Sequence, residues 1–286
     1  MNIGFIGAGK VGTVFGHYLK ENGLNVVGYY SRNPESAQKA AEFSSAKVLS
    51  LEEVVEQSDI VFLTTPDSVI KKVCDDIGEN IGFSNNQTIV HMSGALKSDI
   101  LSKAKAQGAN TFSLHPMQSF ADTKKSIDAI HNTFFTMEGT GDKSAILEIL
   151  KKIGNKFKEI EPEHKPLYHA AACVASNYLV TLAKVSTNML KTIGFNEQEG
   201  HDVLMPLMQG TMDNIDKLGV VDALTGPIVR GDMVTIQNHL ENLNDDQKSF
   251  YSALGLETLD VAEKRGLRKE DIEALKKILE GSGLNG

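Results

Sequence analysis

Cysteine is scarce in this sequence: its 286 residues include only two, Cys74 and Cys173. They lie far apart and neither belongs to a CxxC pair, which argues against a disulfide framework and against a zinc site. Long apolar runs are missing too. No stretch of 18 consecutive apolar residues occurs, so we expect no membrane-spanning helix. The cysteine spacing leads us to expect no metal centre either.

An excess of positive charge is also missing. Lysine and arginine total 29 against 37 aspartates and glutamates, and the formal net charge is -8. Nucleic-acid binding needs a basic surface, so this balance argues against a nucleic-acid partner. The first residues, MNIGFIGAGK, begin a strand at once and lack the pattern of a secretory signal peptide. We therefore expect a cytoplasmic protein.

Short apolar runs alternate with helical patterns over the first 160 residues. Strands are predicted at residues 2–6, 25–30, 46–49, 59–64, 87–91, 110–115, 132–137 and 156–160. Helices are predicted near residues 10–22, 34–43, 51–57, 67–80, 95–107 and 142–153. Near-continuous apolar strands suit a sheet buried on both faces, and their alternation with helices predicts a doubly wound α/β sheet.

The pattern changes after Glu161-Pro162-Glu163, beyond which no strand is predicted. One helix should start near Pro166, a residue suited to a first turn, and run to about Ile193. Further helices are predicted near residues 197–217, 232–242, 245–265 and 269–281. The sequence thus predicts a doubly wound domain over residues 1–161 and an all-helical domain over residues 162–286.

A glycine-rich turn follows the first strand and opens the first helix. It consists of Gly7, Ala8, Gly9, Lys10, Val11 and Gly12. In this context GxGxxG spacing indicates dinucleotide binding. The first glycine permits the turn, the second lets the backbone approach a pyrophosphate, and the third lets helix and strand pack closely. A glycine-rich turn without a ligand is the alternative.

The end of the second strand indicates which dinucleotide is bound. NAD-preferring proteins usually place a carboxylate there, whereas an arginine accommodates the 2′-phosphate of NADP. This segment has no carboxylate, and Ser31 and Arg32 supply a hydroxyl and a cation suited to phosphate. We therefore predict NADP, unless Arg32 is merely a solvated loop residue. Thr64, Thr65 and Pro66, at the end of the fourth strand, are expected to line the dinucleotide.

Two segments, HMSG from His91 and HPMQ from His115, each follow a strand at its carboxyl end. Both should face the nicotinamide side of the cleft. A histidine there can donate a proton to a carbonyl or imine as a hydride arrives. Ser93 is expected to contact the cofactor or substrate, and Gln118 to orient the substrate. The alternative for each histidine is a strand-end residue bonded to backbone.

The helix that starts near Pro166 carries a polar stripe within roughly 140° of arc at about 100° per residue. Its members are His169, Ser176, Asn177, Thr181, Lys184 and Asn188. A solvated face on a core helix would give the same pattern. Further along, the segment LTGPIVRGD holds Thr225, which offers a hydroxyl, and Arg230, which suits a substrate carboxylate unless it forms a structural pair with Asp232.

Five segments together resemble a bacterial family of Rossmann-like proteins whose second half is a domain of unknown function of the DUF2520 type. They are GAGKVG, HMSGA, HPMQSF, YHAAACVASNYL and LTGPIVRGD. The family is related to pyrroline-5-carboxylate reductases and to the 6-phosphogluconate and β-hydroxyacid dehydrogenases. The resemblance implies a helical second domain, of the 6-phosphogluconate dehydrogenase C-terminal type, that dimerises and completes the active site.

Lys184 and Asn188 are similar to the helical lysine and asparagine of β-hydroxyacid dehydrogenases, but they lie too late in the helix. Lys184 is roughly 22 Å along the axis from His169, at about 1.5 Å per residue. One reacting carbon cannot lie beside both residues. We therefore favour His169 and Asn177, together with His115, as the catalytic residues.

Three functions are compatible with these residues. The first is an NADP-dependent oxidoreductase that transfers a hydride to a small carbonyl or imine substrate carrying a carboxylate. The second is a non-catalytic NADP-binding regulatory or sensor protein, and the third is a deazaflavin (F420)-linked oxidoreductase. Candidate proton donors favour the first. We also expect a homodimer, because an Ala-rich helix and the Met-rich residues 204–212 leave more apolar surface than a small domain should expose.

Overall fold

Eight strands form one sheet in the computed structural model, which describes residues 1–281. The strands are β1 (Asn2–Ile6), β2 (Asn25–Tyr30), β3 (Lys47–Val48), β4 (Ile60–Leu63), β5 (Thr88–His91), β6 (Asn110–Pro116), β7 (Phe135–Thr140) and β8 (Phe157–Glu159). Their spatial order is β3-β2-β1-β4-β5-β6-β7-β8. The first six strands are parallel, β7 pairs antiparallel with β6, and β8 pairs parallel with β7. The predicted doubly wound α/β fold is confirmed.

Helices connect these strands. They are α1 (Lys10–Glu21), α2 (Pro34–Phe43), α3 (Leu51–Gln57), α4 (Asp67–Asn80), α5 (Ser102–Ala106), α6 (Thr123–Ile130) and α7 (Ser144–Ile153). Capping residues explain where two of these helices begin. The Asn33 side chain accepts from the Glu35 amide and Pro34 opens α2, while Ser50 and Glu53 form a reciprocal capping box for α3.

Apolar side chains fill both faces of the sheet. Ile60 and Phe62 of β4 contribute to the core on one face, whereas their neighbours Val61 and Leu63 contribute to the core on the other. This follows from the alternation of side chains along a strand. The site-bearing edge therefore rests on strands that are buried on both sides.

Three predicted elements differ from the structure. The strand expected at 132–137 occupies Phe135–Thr140, and the preceding helix α6 was not expected. Residues 95–107 hold only a 3-10 turn, Ser98–Leu101, and the short α5. The single helix expected from Pro166 to Ile193 is interrupted at Ser176, whose φ of -114° departs from helical geometry. Serine and asparagine side chains compete for backbone hydrogen bonds, which favours a break at Ser176-Asn177.

The remaining elements are helical. They are α8 (Lys165–Ala175), α9 (Asn177–Thr192), α10 (Glu197–Ala223), α11 (Met233–Glu241), α12 (Asp245–Lys264) and α13 (Lys269–Gly281). The chain divides into two compact units, one from Met1 to Tyr178 and one that starts at Leu179. The first unit extends past residue 161, the boundary predicted from sequence, because α8 packs with the sheet.

The helical unit has its own small core. Ile236, Leu259, Ala262, Leu275 and Leu279 are among its buried members. None of the helices within residues 1–281 has the length and apolar character that crossing a membrane requires.

Candidate functional site

The glycine-rich turn has the geometry that a dinucleotide requires. Gly7 has φ +107°, and its N–H donates to the Tyr30 carbonyl. A Cβ on Gly12 would lie 2.4 Å from Thr64 Oγ1, so only glycine lets α1 pack so closely here. Gly9 differs, since nothing lies within 4 Å of the place where its Cβ would be. Space for a ligand is therefore left open at the middle glycine.

A cavity of about 340 Å³ lies beside this turn. Its wall includes Ile6, Gly7, Ala8, Gly9, Tyr30, Ser31, Arg32, Asn33, Leu51, Thr64, Thr65, Pro66, Val69, Val73 and Asp76. The structure thus brings most of the predicted cofactor-binding residues to one cavity. Thr65 Oγ1 is buried and makes no hydrogen bond to any described residue, so a polar group remains free for a ligand.

Arg32 lines this cavity with an exposed side chain. It forms no ion pair with any residue from 1 to 281. Ser31 Oγ accepts from the Asn33 amide at 3.3 Å. An unpaired guanidinium at the end of β2 suits a phosphate. Asp76 of α4 is the carboxylate in this wall, a residue that the sequence analysis did not single out.

Three residues of the fingerprint, Lys10, Val11 and Gly12, lie outside this cavity wall. The Lys10 side chain donates to the Ala121 carbonyl at 2.5 Å. Val11 packs against the core on one face of the sheet. Lys10 is therefore engaged with the loop after β6, and its backbone N–H is what remains for a ligand at the start of α1.

Ser93 joins the cavity wall to the ends of the next strands. Its hydroxyl donates to Asp67 Oδ2 at 2.6 Å and accepts from the amides of Ala95 and Leu96. Asp67 directly follows Pro66, which lines the cavity. The Ser93 hydroxyl thus makes its hydrogen bonds within the protein. These bonds fix the position of the next residue, Gly94.

His91 is a structural residue. It is fully buried, its Nδ1 accepts from the Ser93 amide, and its Nε2–H donates to the Lys97 carbonyl. Burial, with the positive charge of Lys165, lowers the pKa of His91 to about 3. Of the two interpretations open for His91, the backbone-bonded histidine is the one that this geometry fits.

His115 lies at the end of β6 and contacts α8. Its Nδ1 is 2.8 Å from the Tyr168 hydroxyl. Burial lowers the pKa of His115 to about 4, and the charges of Lys165 and His169 act in the same direction. The imidazole is therefore neutral at pH 7. With the Tyr168 hydroxyl as donor to Nδ1, the proton of His115 resides on Nε2.

His169 faces the same point as His115. A Cβ built on Gly94 would lie 2.7 Å from His115 Nε2 and 2.7 Å from His169 Nδ1. His169 Nδ1 is buried and makes no hydrogen bond within the described chain, while its Nε2 lies 3.7 Å from Cys173 Sγ. Gly94 is thus the residue that leaves room for two converging imidazoles, one from the sheet and one from α8.

A buried lysine lies beneath these histidines. Lys165 has 1% of its side chain exposed, and its Nζ donates to the Ser93 carbonyl at 3.0 Å and to Ser113 Oγ at 2.5 Å. Glu138 Oε1 lies 4.0 Å away and is equally buried. Burial lowers the pKa of Lys165 to about 8, against the opposing attraction of Glu138 and Asp67.

Sequence reasoning missed Lys165, Glu138 and Tyr168. A lysine before a helix-opening proline is usually solvated, and nothing in the local pattern reveals its burial. Tyr168 had a weak signal, since it directly precedes His169 in one of the family-like segments. Glu138 lies on β7, where the predicted strand was displaced by three residues.

Other predicted site residues are engaged elsewhere. Both ends of the Gln118 amide bond within the connection between β6 and β7, to the Ser126 carbonyl of α6 and to the Thr133 hydroxyl. Asn177 is exposed and follows the helix break, so it does not share one continuous helix with His169. Thr225 and Arg230 belong to the helical unit, where Thr225 lines an apolar cavity of about 360 Å³ and Arg230 is exposed.

Residues 1–281 contain no group of three or more histidines, cysteines, aspartates or glutamates placed to hold an ion. The candidate chemistry is that of a dinucleotide cavity joined, through Asp67 and Ser93, to two imidazoles.

Comparisons with known proteins support this assignment of the fold. A family model described as a Rossmann-like domain matches residues 1–116, and the model of the domain of unknown function DUF2520 matches residues 133–258. A comparison with curated proteins finds no match.

Solved structures resemble the chain over nearly its whole length. A Bacteroides fragilis protein, provisionally described as an NADP oxidoreductase, is 23% identical, with a TM-score of 0.67 over 93% of this chain and 98% of its own. A Plasmodium falciparum pyrroline carboxylate reductase with NADP bound is 14% identical, with a TM-score of 0.55 over 99% and 97%. These two show a shared fold.

A third solved structure is more similar in sequence. Protein TM1727 from Thermotoga maritima is 30% identical to this chain, with a TM-score of 0.72, and the match covers 91% of this chain and 99% of that protein. This match and the two domain models agree. The chain belongs to the family of proteins that join a Rossmann-like domain to the DUF2520 domain.

Proposed function

We propose that the chain is an NADP-dependent oxidoreductase that transfers a hydride to a small carbonyl or imine substrate carrying a carboxylate. One observation carries the proposal: a cavity suited to a phosphorylated dinucleotide is linked, through Asp67, Ser93 and Gly94, to two converging imidazoles. Pro66 lines the cavity, the next residue accepts from Ser93, and Gly94 faces both histidines. Fold neighbours described as NADP oxidoreductases support the same class.

The residues present fit NADP. The open space at Gly9 and the N-terminus of α1 would take the pyrophosphate, and Ser31 with Arg32 would take the 2′-phosphate. The Thr65 hydroxyl, which has no partner among residues 1–281, is a further contact. NADPH, when bound, supplies the hydride.

The two histidines divide the remaining chemistry. Neutral His115 offers its Nε2–H as a hydrogen-bond donor to the substrate oxygen or nitrogen, in the way a neutral imidazole can polarise a carbonyl. His169, whose Nδ1 is buried and unpaired within the described chain, delivers the proton. Tyr168 holds His115 in the tautomer that this requires.

Residues in the second half of the chain are proposed to recognise the substrate. Arg230 and Thr225 would hold the carboxylate, and Asn177 would orient the reacting group. Gln118 is left out of this role, because both ends of its amide are already bonded within the protein. The pyrroline carboxylate reductase among the fold neighbours is named for a substrate that bears a carboxylate. Residues 162–286 would act as the dimerisation and substrate domain. We propose that the protein lies in the cytoplasm.

A homodimer is part of the proposal. In α9 and α10, Val180 is 70% exposed, Leu207 is 66% exposed and Val203 is 50% exposed. Soluble proteins rarely leave such contiguous apolar surface open, and a second copy of the same chain is the usual partner for it.

Cofactor preference tests the proposal first. Wild-type protein should bind NADPH more tightly than NADH, and Arg32→Ala should weaken NADPH binding roughly tenfold or more, since a charged hydrogen bond contributes about 1.5–3 kcal/mol. NADH binding should change little. Isothermal titration of both cofactors into both proteins measures this.

Lys39→Ala is the matched control, because Lys39 is an exposed cation on the adjacent helix α2 and lies outside the cavity wall. Its NADPH affinity should equal that of the wild type. Equal affinities of the wild-type protein for NADPH and NADH would contradict the cofactor assignment. Tight NADPH binding without turnover of any keto acid or cyclic imine would favour the sensor function.

A further inference from the structure

Lys165 is placed unusually for a lysine at the start of a helix. Its side chain is 1% exposed, although a first-turn lysine ordinarily extends into water. A buried ammonium group is costly unless every donor finds a partner. Here Nζ donates to the Ser93 carbonyl and to Ser113 Oγ, with Glu138 at 4.0 Å.

Both hydrogen-bond partners of the Lys165 ammonium group meet at the Ser93 carbonyl. Ser113 Oγ, which accepts from Lys165, itself donates to the Ser93 carbonyl at 3.2 Å. The Ser93 carbonyl therefore accepts from the lysine and from the serine together. The next residue is Gly94, which faces the two imidazoles.

The same lysine fixes α8. Tyr168 and His169 lie three and four residues after Lys165, so all three share one face of the helix. Tyr168 contacts His115, and His169 faces Gly94. The Lys165 side chain thus connects α8, which carries two site residues, to the Gly94 loop, which its ammonium group contacts.

Glu138 does not explain why a cation is retained here. Its two oxygens already accept from the Ser98 amide and the Ser98 hydroxyl, each at 2.7 Å. An apolar side chain in place of a buried ion pair is often neutral or stabilising. A role other than stability would account for the lysine.

We propose that Lys165 is a positioning residue whose ammonium group holds the Ser93-Gly94 loop and α8 together, and so sets the approach of His115 and His169 to each other. Its kinetic consequence rests on the proposed oxidoreductase function, but its structural consequence does not. The charged and titratable groups around Lys165 come from several elements: Asp67 from α4, His91 from β5, His115 from β6 and Glu138 from β7.

Two variants test the proposal. Lys165→Met removes the ammonium group but leaves Glu138 without its cation, so this variant can lose stability. The double variant Lys165→Met/Glu138→Gln removes both charges and should fold with near wild-type stability. Lys158→Met, an exposed lysine on β8, is the control.

Crystal structures of the wild type and the double variant give the structural readout. The distance from His115 Nδ1 to the Tyr168 hydroxyl, 2.8 Å here, should lengthen beyond hydrogen-bonding range in the double variant. Where the wild type turns over a substrate, kcat of the double variant should fall roughly 100-fold, the usual consequence of misplacing a reacting group by about 1 Å. NADPH affinity should stay at the wild-type value, because no residue of the cavity wall is replaced.

The outcomes separate the two proposals. A stable double variant that keeps the His115–Tyr168 contact, or that keeps wild-type kcat, overturns the positioning role. A wild type that turns over nothing in a substrate panel counts against the oxidoreductase function alone, and the crystallographic distance then decides for or against Lys165.

Discussion

The sheet unit and the helical unit use their apolar residues in opposite ways. The sheet unit buries its strands on both faces, and its exposed surface offers a cavity and polar strand ends. The helical unit has a much smaller core, while α9 and α10 leave large apolar side chains in solvent. These exposed side chains are the basis for proposing that the helical unit meets a second copy of the chain.

Titratable groups show the same contrast. The sheet unit contains the buried His91 and Lys165 and the half-buried His115, whose pKa values burial displaces to about 3, 8 and 4, whereas no group of the described helical unit has so large a displacement. Displaced pKa values of this kind cluster at functional sites. We therefore propose that the sheet unit carries the chemistry and that the helical unit serves assembly.

Removing the imidazoles should have the largest effect. Because general acid catalysis typically contributes 10²–10⁴-fold, His169→Gln should lower kcat by about that much while leaving NADPH affinity and oligomeric state unchanged. His131→Gln, at an exposed position on the same unit, is the control. Steady-state kinetics measures kcat, and cofactor titration measures NADPH affinity. A His169→Gln protein with wild-type kcat would remove this residue from the mechanism.

Acid should destabilise the sheet unit first. The folded-state pKa of His91 lies below its ordinary value of 6.5, so between pH 6.5 and about 3 the unfolded chain binds a proton that the folded chain cannot. The stability contribution is therefore complete above pH 6.5 and is lost as pH falls. The loss is on the order of 5 kcal/mol for His91, and His115 adds to it down to about pH 4.

Urea unfolding at several pH values measures how steeply the free energy of unfolding falls as the pH is lowered. His91→Gln should reduce this pH dependence, and His131→Gln should preserve it. A pH dependence identical in the wild type and in His91→Gln would mean that the buried histidine does not control acid stability.

Charging the apolar face of α10 should disrupt assembly and spare the site. Leu207→Glu would bury a carboxylate in the proposed dimer interface and should weaken dimerisation about 30-fold or more, which corresponds to at least 2 kcal/mol. NADPH binding should persist. Asp216→Lys is the control, since nine residues at about 100° each place it on the opposite side of the helix.

Sedimentation of the wild type and both variants gives the dimer dissociation constants. A wild-type chain that sediments as a 31.1 kDa monomer at micromolar concentration would contradict the reading of the helical unit as the assembly unit.

Sequence patterns predicted the fold almost completely. The bounds of β1, β2, α2, α3 and α4 agree residue for residue, because strong apolar periodicity and explicit caps define them. The pattern failed where local signals are weak. Helix α6 lies in a polar stretch, and the break at Ser176 falls within a segment whose composition is helical on both sides.

The site was only partly predictable for a different reason. The cofactor cavity follows from motifs with fixed spacing, and the structure gathers most of those residues. Lys165 and Glu138 meet only because β7 and α8 pack beside β5 and β6, and no local pattern contains that information. The bonding of the Gln118 amide within the connection between β6 and β7 is likewise a tertiary fact.

Oxidation of NADPH by the protein tests the central claim most directly. The wild-type chain is mixed with NADPH and a panel of keto acids and cyclic imines, and the absorbance of the reduced cofactor is followed over time. At least one carboxylated substrate should drive oxidation, and His169→Gln should abolish that oxidation while still binding NADPH. Failure of the wild type to bind NADPH would contradict the account.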